Sequence, residues 1–334
     1  MRTERRGIAL LAALLVMIVA GTFLVAGYYA ARSDERTARL ALRVVQLDGA
    51  NDRAVANVMA TWDSAARFAQ DVGTSRDVPL PAADPDVATA VRVTRLSRLL
   101  YLVAVRSRDI RDTSVAASGT TLLRVVTPDF PSLGVLTARG DVGPPAGFGY
   151  MQADPAALAT CGASYSGAAD LPGFAVPPDR TAPSPSVGLD AAGADSTYRL
   201  FGEMALNDLA ARASRELPAG VSASAPTGGI SLAQGDLTLT GGEGSGVLIV
   251  QGRLMLDGPV VFRGVVIVLG GLEARSTGSL FEGLVLVDAA SSPAVVANDH
   301  ALVTVRFDPC VVSATTWHAG RVTRVNGWNW HPTL

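Results

Sequence analysis

The spacing of apolar and polar positions divides the chain into an oily rod, an alternating middle and a glycine-punctuated second half. Ile8 to Ala31 is uncharged, and these 24 apolar and small residues span roughly 36 Å as a helix, enough to cross a bilayer core of about 30 Å. Arg2, Arg5 and Arg6 precede it against the single acid Glu4, which predicts a cytoplasmic N-terminus and everything after Arg32 outside the cytoplasm. A secretory signal would have a shorter apolar region followed by a small-x-small cleavage site. A plain signal anchor fits the stretch as well. From Ser33 to Gln70 there is no proline, and Leu40, Val44, Leu47, Val55, Val58, Met59 and Trp62 keep helical spacing, predicting that the helix continues as a stalk over residues 32–76. A proline-rich hinge, Asp77 to Pro85, follows.

Alternation then replaces the helical period. Val91 to Thr94, Leu99 to Arg106 and Thr121 to Val126 read as strands of a small β meander within 86–133. Beyond it a glycine frame repeats. Gly229, Gly246, Gly264 and Gly283 each open a short apolar run, 17, 18 and 19 residues apart. Leu237, Leu254 and Leu272 form one column of that frame; Leu239, Leu256 and Ala274 form a second, and Phe262 and Phe281 share a later position. Such in-phase repeats predict a parallel β-solenoid (β-helix-like) over 134–316, because one repeat cannot bury its own apolar face and stacking builds the core. A β-sandwich is the competing reading.

Gly134 to Val142 matches the same frame, which makes it a candidate first repeat and makes 143–228 a Pro/Gly-rich insertion between successive repeats. Within the insertion, Thr197 to Glu216 reads as a helix, ended by Pro218-Ala219-Gly220. Leu248, Val250, Val266 and Val268 alternate with the core positions, so the strands are apolar on both faces and the outer face needs a cover. The expected covers are the Thr197–Glu216 helix, the distal part of the long helix, or a neighbouring subunit. Residues 317–334, with Trp328 and Trp330, read as a tail capping the solenoid, and Trp317-His318 as a surface or capping pair. The fold class is thus mainly β with a long N-terminal α-helix.

Composition narrows the chemistry. The 334 residues carry a net charge of −2 with 17% charged, so nothing points to nucleic acid or an acidic substrate. There is no lysine; every basic residue other than histidine is arginine. Cys161 and Cys310 both fall on the non-cytoplasmic side, where a disulfide between them is expected. His300, His318 and His331 lack metal-ligand spacing. Gly241 to Gly246 lacks the Lys-Ser/Thr of a phosphate cradle. Asp236, Asp257, Glu273 and Glu282 do not share a column of the glycine frame, as the paired carboxylates of a polysaccharide hydrolase would. No enzyme activity, metal or cofactor is therefore expected.

Two stretches carry a family resemblance. Arg5-Arg6-Gly7-Ile8-Ala9-Leu10-Leu11 resembles the class III signal of type IV pilins and pseudopilins. It implies a leader at 1–7 cut after Gly7 by a prepilin peptidase, with Ile8 the methylated first mature residue of the transmembrane helix 8–31. The fifth mature residue, a glutamate in major pilins, is Ala12 here; minor pilins of the PilX type and the tip pseudopilin often lack that glutamate. Leu42 to Ala50, with Trp62-Asp63 downstream, is similar to the segment after the membrane helix in PilX-type proteins. The resemblance implies a subunit of a type IV pilus or type II secretion-like filament, whose partners are other pilins or pseudopilins, the peptidase and the bacterial inner membrane. A membrane-anchored β-helix carbohydrate binder or hydrolase and a bactofilin-like polymerising scaffold are the alternatives.

Overall fold

The computed structural model describes residues 4–81, 84–128, 130, 133–143, 147–152, 171–188, 206–289 and 293–330, without the side chains of 4–10, 65 and 326–330. Helix α1 runs from Glu4 to Ala60, 57 residues, uninterrupted because no proline occurs before Pro79 and alanine, leucine and arginine dominate. It ends sixteen residues short of the expected stalk (76 − 60). The Thr61 amide closes the last turn on the Asn57 carbonyl at 2.8 Å. The Asp63 carboxylate then accepts from the Ala66 amide at 3.0 Å and starts a separate short helix, α2 (Ser64–Phe68). The buried Arg95 guanidinium holds this connection down by donating to the carbonyls of Phe68 (3.0 Å) and Gln70 (2.6 Å).

An antiparallel sheet follows, with β1 (Ser75–Val78), β2 (Val87–Arg95), β3 (Leu100–Asp109) and β4 (Ala116–Val126) in that order. β1 takes the start of the expected hinge. Alternation sets the faces: Val91, Val93, Tyr101, Val103, Val105, Leu123 and Val125 are buried against Ala54, Val55 and Val58 of α1. A strand of period two thus meets a helix of period 3.6, each burying one stripe. The C-terminal segment Arg321–Trp330 (β20) does not cap the second half. It pairs antiparallel with β4 and completes this sheet, satisfying an edge that would otherwise be open.

The second half builds two parallel sheets from alternating strands. One holds β10 (Val221–Ala223), β12 (Leu237–Leu239), β14 (Leu254–Leu256), β16 (Leu272–Ala274) and β18 (Val295–Ala297). The other holds β9 (Arg215–Leu217), β11 (Ile230–Ala233), β13 (Gly242–Val250), β15 (Val260–Val268), β17 (Thr277–Val287) and β19 (Leu302–Arg306), with upstream strands added at one end. Ladder registers reproduce the sequence columns: Gly264 lies between Gly246 and Gly283, Leu254 between Leu237 and Leu272, and Phe262 opposite Phe281. Stacked leucines and phenylalanines fill the interior, nearly all fully buried.

The Gly134 repeat keeps phase but lies elsewhere than expected. Its strand β5 (Leu136–Ala138) pairs with Val285–Val287 of β17, at the opposite end from β11. The reason lies at that edge. β19 covers only Thr277–Glu282 of β17 before the chain leaves, so the remaining half-edge is open and β5 fills it. The described parts of 143–228 contribute strands to both parallel sheets. β6 (Phe148–Met151) pairs with β19, β7 (Phe174–Val176) with β5, and β8 (Ser186–Gly188) with β7. β9 and β10 extend the opposite end.

The Thr197–Glu216 helix ends earlier than expected, at Ala210, and residues 197–205 of it lie outside the described residues. Its described part is α3 (Leu206–Ala210), and Arg215–Leu217 is strand β9. The outer face of β13, β15 and β17 is covered instead by α4 (Pro309–His318). Asp308 caps α4, accepting from the Cys310 and Val311 amides at 2.9 and 3.0 Å, with Pro309 opening the first turn. Val312 joins the parallel-sheet core and Trp317, 1% exposed, joins the core under α1. Trp317 is thus a buried anchor, where a surface or capping pair with His318 is expected from the sequence.

Candidate functional site

α1 presents two surfaces in succession. From Leu11 to Tyr29 its large apolar side chains are exposed, Leu11 at 71%, Phe23 at 74% and Leu24 at 76%. Past the charged stretch Arg32–Arg39, Leu42 at 66% and Val45 at 68% are exposed on one face, while on the other Val44 is partly buried beside Leu47 at 1%. The protein therefore buries the helix only from its middle onward. Transferring each exposed leucine or phenylalanine out of water is worth about 1.5–3 kcal/mol, so the free half demands lipid or another protein. It is long and apolar enough to cross a membrane. A Cβ added at Gly21 or Gly27 would meet nothing within 4 Å, which leaves notches where a second helix can approach closely. α1 also passes through Gly7 and Ile8, whose side chains lie outside the described residues.

The buried half is held to the sheet by packing and by two ion pairs. Arg43 Nε lies 3.3 Å from Asp109 Oδ2, and Arg324 Nη1 lies 3.6 Å from Asp52 Oδ1, tying the C-terminal strand to α1. The Asp109 carboxyl is held below its ordinary range, chiefly by the Arg111 amide that donates to it at 2.8 Å, with Arg43 adding to the effect. Where the helix ends, Trp62, Tyr101, Phe68 and Trp317 form an aromatic joint, with ring centroids 5.0–6.3 Å apart. The Tyr101 hydroxyl donates to the Arg67 carbonyl at 3.1 Å, and burial pushes its phenol up. Burial lowers the His318 imidazole, against a smaller opposing pull from Asp63. Asp308-Pro309, a cap followed by a first-turn proline, was the available signal for the helix that closes this joint.

Three of the four acids singled out above, Glu282, Glu273 and Asp236, are engaged in ion pairs or a turn, and Asp257 is exposed. Glu282, its side chain 5% exposed, sits between Arg263 (2.8 Å) and Arg306 on adjacent strands. Glu273 lies between Arg275 (2.7 Å) and Arg253 (3.3 Å). Asp236 accepts from the Arg253 amide at 2.7 Å. These are ladders that neutralise charge across strands. Among the described residues no group of three His, Cys, Asp or Glu could hold a metal. Cys310 sits in the first turn of α4; Cys161 and His331 lie outside the described residues.

No protein-family model matches this chain, and no curated protein matches it. Among solved structures, the crystal structure of the competence-associated pilin ComZ from Thermus thermophilus aligns with 87% of this chain and 98% of its own, at 10% identity and a TM-score of 0.28. Superposition at that level does not establish a shared fold.

Proposed function

We propose that this chain is a minor-pilin-like structural subunit of a type IV pilus or type II secretion-like filament. In this reading a prepilin peptidase removes residues 1–7, the Ile8–Ala31 helix keeps the subunit in the inner membrane with its bulk in the periplasm, and assembly bundles that helix with those of other pilins. The observation that carries the reading is the change along α1, from large apolar side chains exposed throughout Leu11–Tyr29 to a helix buried along one face from Val44 and Leu47 onward. A plain anchor needs only enough helix to cross the bilayer. Here exposed apolar side chains return at Leu40, Leu42 and Val45, past the charged stretch Arg32–Arg39 and about 13–20 Å beyond Ala31, where lipid no longer reaches and neighbouring helices would. The Arg-Arg-Gly-Ile junction and Ala12 fit the same reading, with the PilX type as its finer form.

The alternating parallel strands form a β-solenoid head that α1 displays outward. A Cys161–Cys310 disulfide would staple α4 to the upstream segment, closing a loop of about 150 residues with an entropic contribution on the order of 4–5 kcal/mol. We assign the protein no catalytic role. N-terminal sequencing of the protein recovered from its own cell envelope tests the proposal. The expected terminus is N-methylated Ile8. Recovery of Met1 from cells with an active prepilin peptidase would overturn it.

A further inference from the structure

The antiparallel sheet has a second face, opposite α1, and its charge is one-sided. Ladder registers place Asp77, Arg92, Ala104 and Thr120 in one row, Ala90, Arg106 and Ser118 in the next, and Ala88, Arg108 and Ala116 in a third. Val91, Val93, Val103 and Val105 alternate with these and face α1, so the rows point away from it. Arg124 and Arg321 lie further along the same face. Among the described residues of these strands, five exposed arginines thus share the face with one acid, Asp77, on a chain whose net charge is −2. Arg92 donates to Asp77 at 2.9 Å. Arg106 and Arg108 have no acidic partner among the described residues.

Between these side chains lies a depression of ≈ 430 Å³ whose floor is Ala90, Ala104 and Gly119 and whose rim carries Arg92, Arg106, Asp77 and the hydroxyls of Ser118 and Thr120. Trp330 is registered opposite Thr120, at the end of the first row. An antiparallel sheet facing water ordinarily carries mixed polar side chains. Here long cationic side chains surround a floor without bulk, which leaves room for a flat ring while guanidinium forks take its acid.

We propose that this face binds an acidic polysaccharide, with sugar rings over the alanine floor, carboxylates on Arg106 and Arg108, and ring hydroxyls on Asp77, Ser118 and Thr120. The acid and hydroxyls on the rim favour this polymer over nucleic acid: a sugar ring presents several hydroxyls that donate to Asp77 and pair with Ser118 and Thr120, whereas a phosphodiester backbone offers Asp77 no donor and is repelled by it.

The test uses the full chain in detergent and three probes: a galacturonate oligosaccharide, a neutral glucan of equal length, and a single-stranded oligodeoxynucleotide, followed by titration calorimetry. Binding of the galacturonate alone is expected, weakening as salt is raised. Joint Arg106→Ala and Arg108→Ala should weaken it about tenfold or more, since each removes a charge-assisted contact. Arg106→Lys, which keeps the charge but loses the fork, should lie between. Arg253→Ala, on the parallel sheets, should leave binding unchanged. Equal binding of the neutral glucan, tighter binding of the oligodeoxynucleotide, no binding at all, or full affinity in Arg106→Lys together with the double variant would each overturn the proposal.

Discussion

Replacing Gly264 by alanine probes the column on which the parallel sheets stack. Gly246, Gly264 and Gly283 are registered with one another at φ of 101°, 151° and 136°. A Cβ at Gly264 would stand 2.0 Å from the Gly246 carbonyl oxygen, roughly 1 Å inside a tolerable contact. An L-residue at positive φ costs about 1–2 kcal/mol. Separating β13 from β15 at that rung weakens two ladder hydrogen bonds, worth about 0.5–1.5 kcal/mol each. The expected loss is about 2–5 kcal/mol, a large part of an ordinary domain's 5–15 kcal/mol. At about 2–4 °C per kcal/mol for a domain of this size, the melting point should fall on the order of 10 °C. Gly278→Ala is the control: its φ is 83° but the nearest atom to an added Cβ, on Pro259, is 3.7 Å away. It should lose only the conformational part, about 1–2 kcal/mol. Thermal melts of the full chain in detergent, with amide exchange followed at residues 247–250 and 265–268, separate the two. Equal melting points for Gly264→Ala and Gly278→Ala would refute the stacking argument.

Three further outcomes follow from the packing around α1 and α4. Asp308→Ala removes the side chain that accepts from the Cys310 and Val311 amides and should destabilise α4 by about 1 kcal/mol, read as faster exchange of the amides at 312–318; unchanged exchange would show that the cap is dispensable. Asn51, 3% exposed on the sheet-facing side of α1, has neither amide atom paired, so Asn51→Leu should raise stability by about 1–3 kcal/mol, and a lower melting point would contradict that. The Asp109 carboxyl, held low by the Arg111 amide and helped by Arg43, contributes stability that is fully present above its unfolded value of about 3.9. That contribution is lost as pH falls through the lower folded value, because the unfolded state then binds the proton more readily. Asp109→Asn should therefore flatten the stability curve below about pH 4, and a parallel curve for the variant would rule the assignment out.

The proposed assembly surface and the proposed ligand face differ in how far local pattern exposes them. The free half of α1 was legible, because an uncharged run of membrane length and a charge–glycine–apolar junction are both contiguous in sequence. The arginine face was not. Arg92, Arg106, Arg108 and Arg124 sit in strands separated by turns, among alternating positions that read individually as solvent-facing. Only ladder register shows that they share one surface with a single acid.

Helix α4 was missed for a related reason. Val311, Val312, Thr315 and Thr316 are β-branched and their spacing follows no clean stripe, since α4 is buried on two sides, with Val312 in one core and Trp317 in the other. The cap at Asp308 outweighs that composition. The stalk was overextended by the opposite error: helical spacing continues through Trp62, yet that ring turns onto Tyr101 and the chain breaks there.

The sequence by itself determined that a long rod opens the chain, which glycines align, and which leucines and phenylalanines form the interior columns, since periodicity records which side of an element must leave water. Only the tertiary structure decided what each side meets. The Gly134 repeat is in phase with all the others, so pattern could not choose its neighbour; the half-open edge of β17 did. The same holds for β20, which went to the free edge of β4, and for α4, which lies across the apolar face of β13, β15 and β17. Phase is a property of one segment, whereas an unpaired edge or an uncovered face exists only once the rest of the chain is in place.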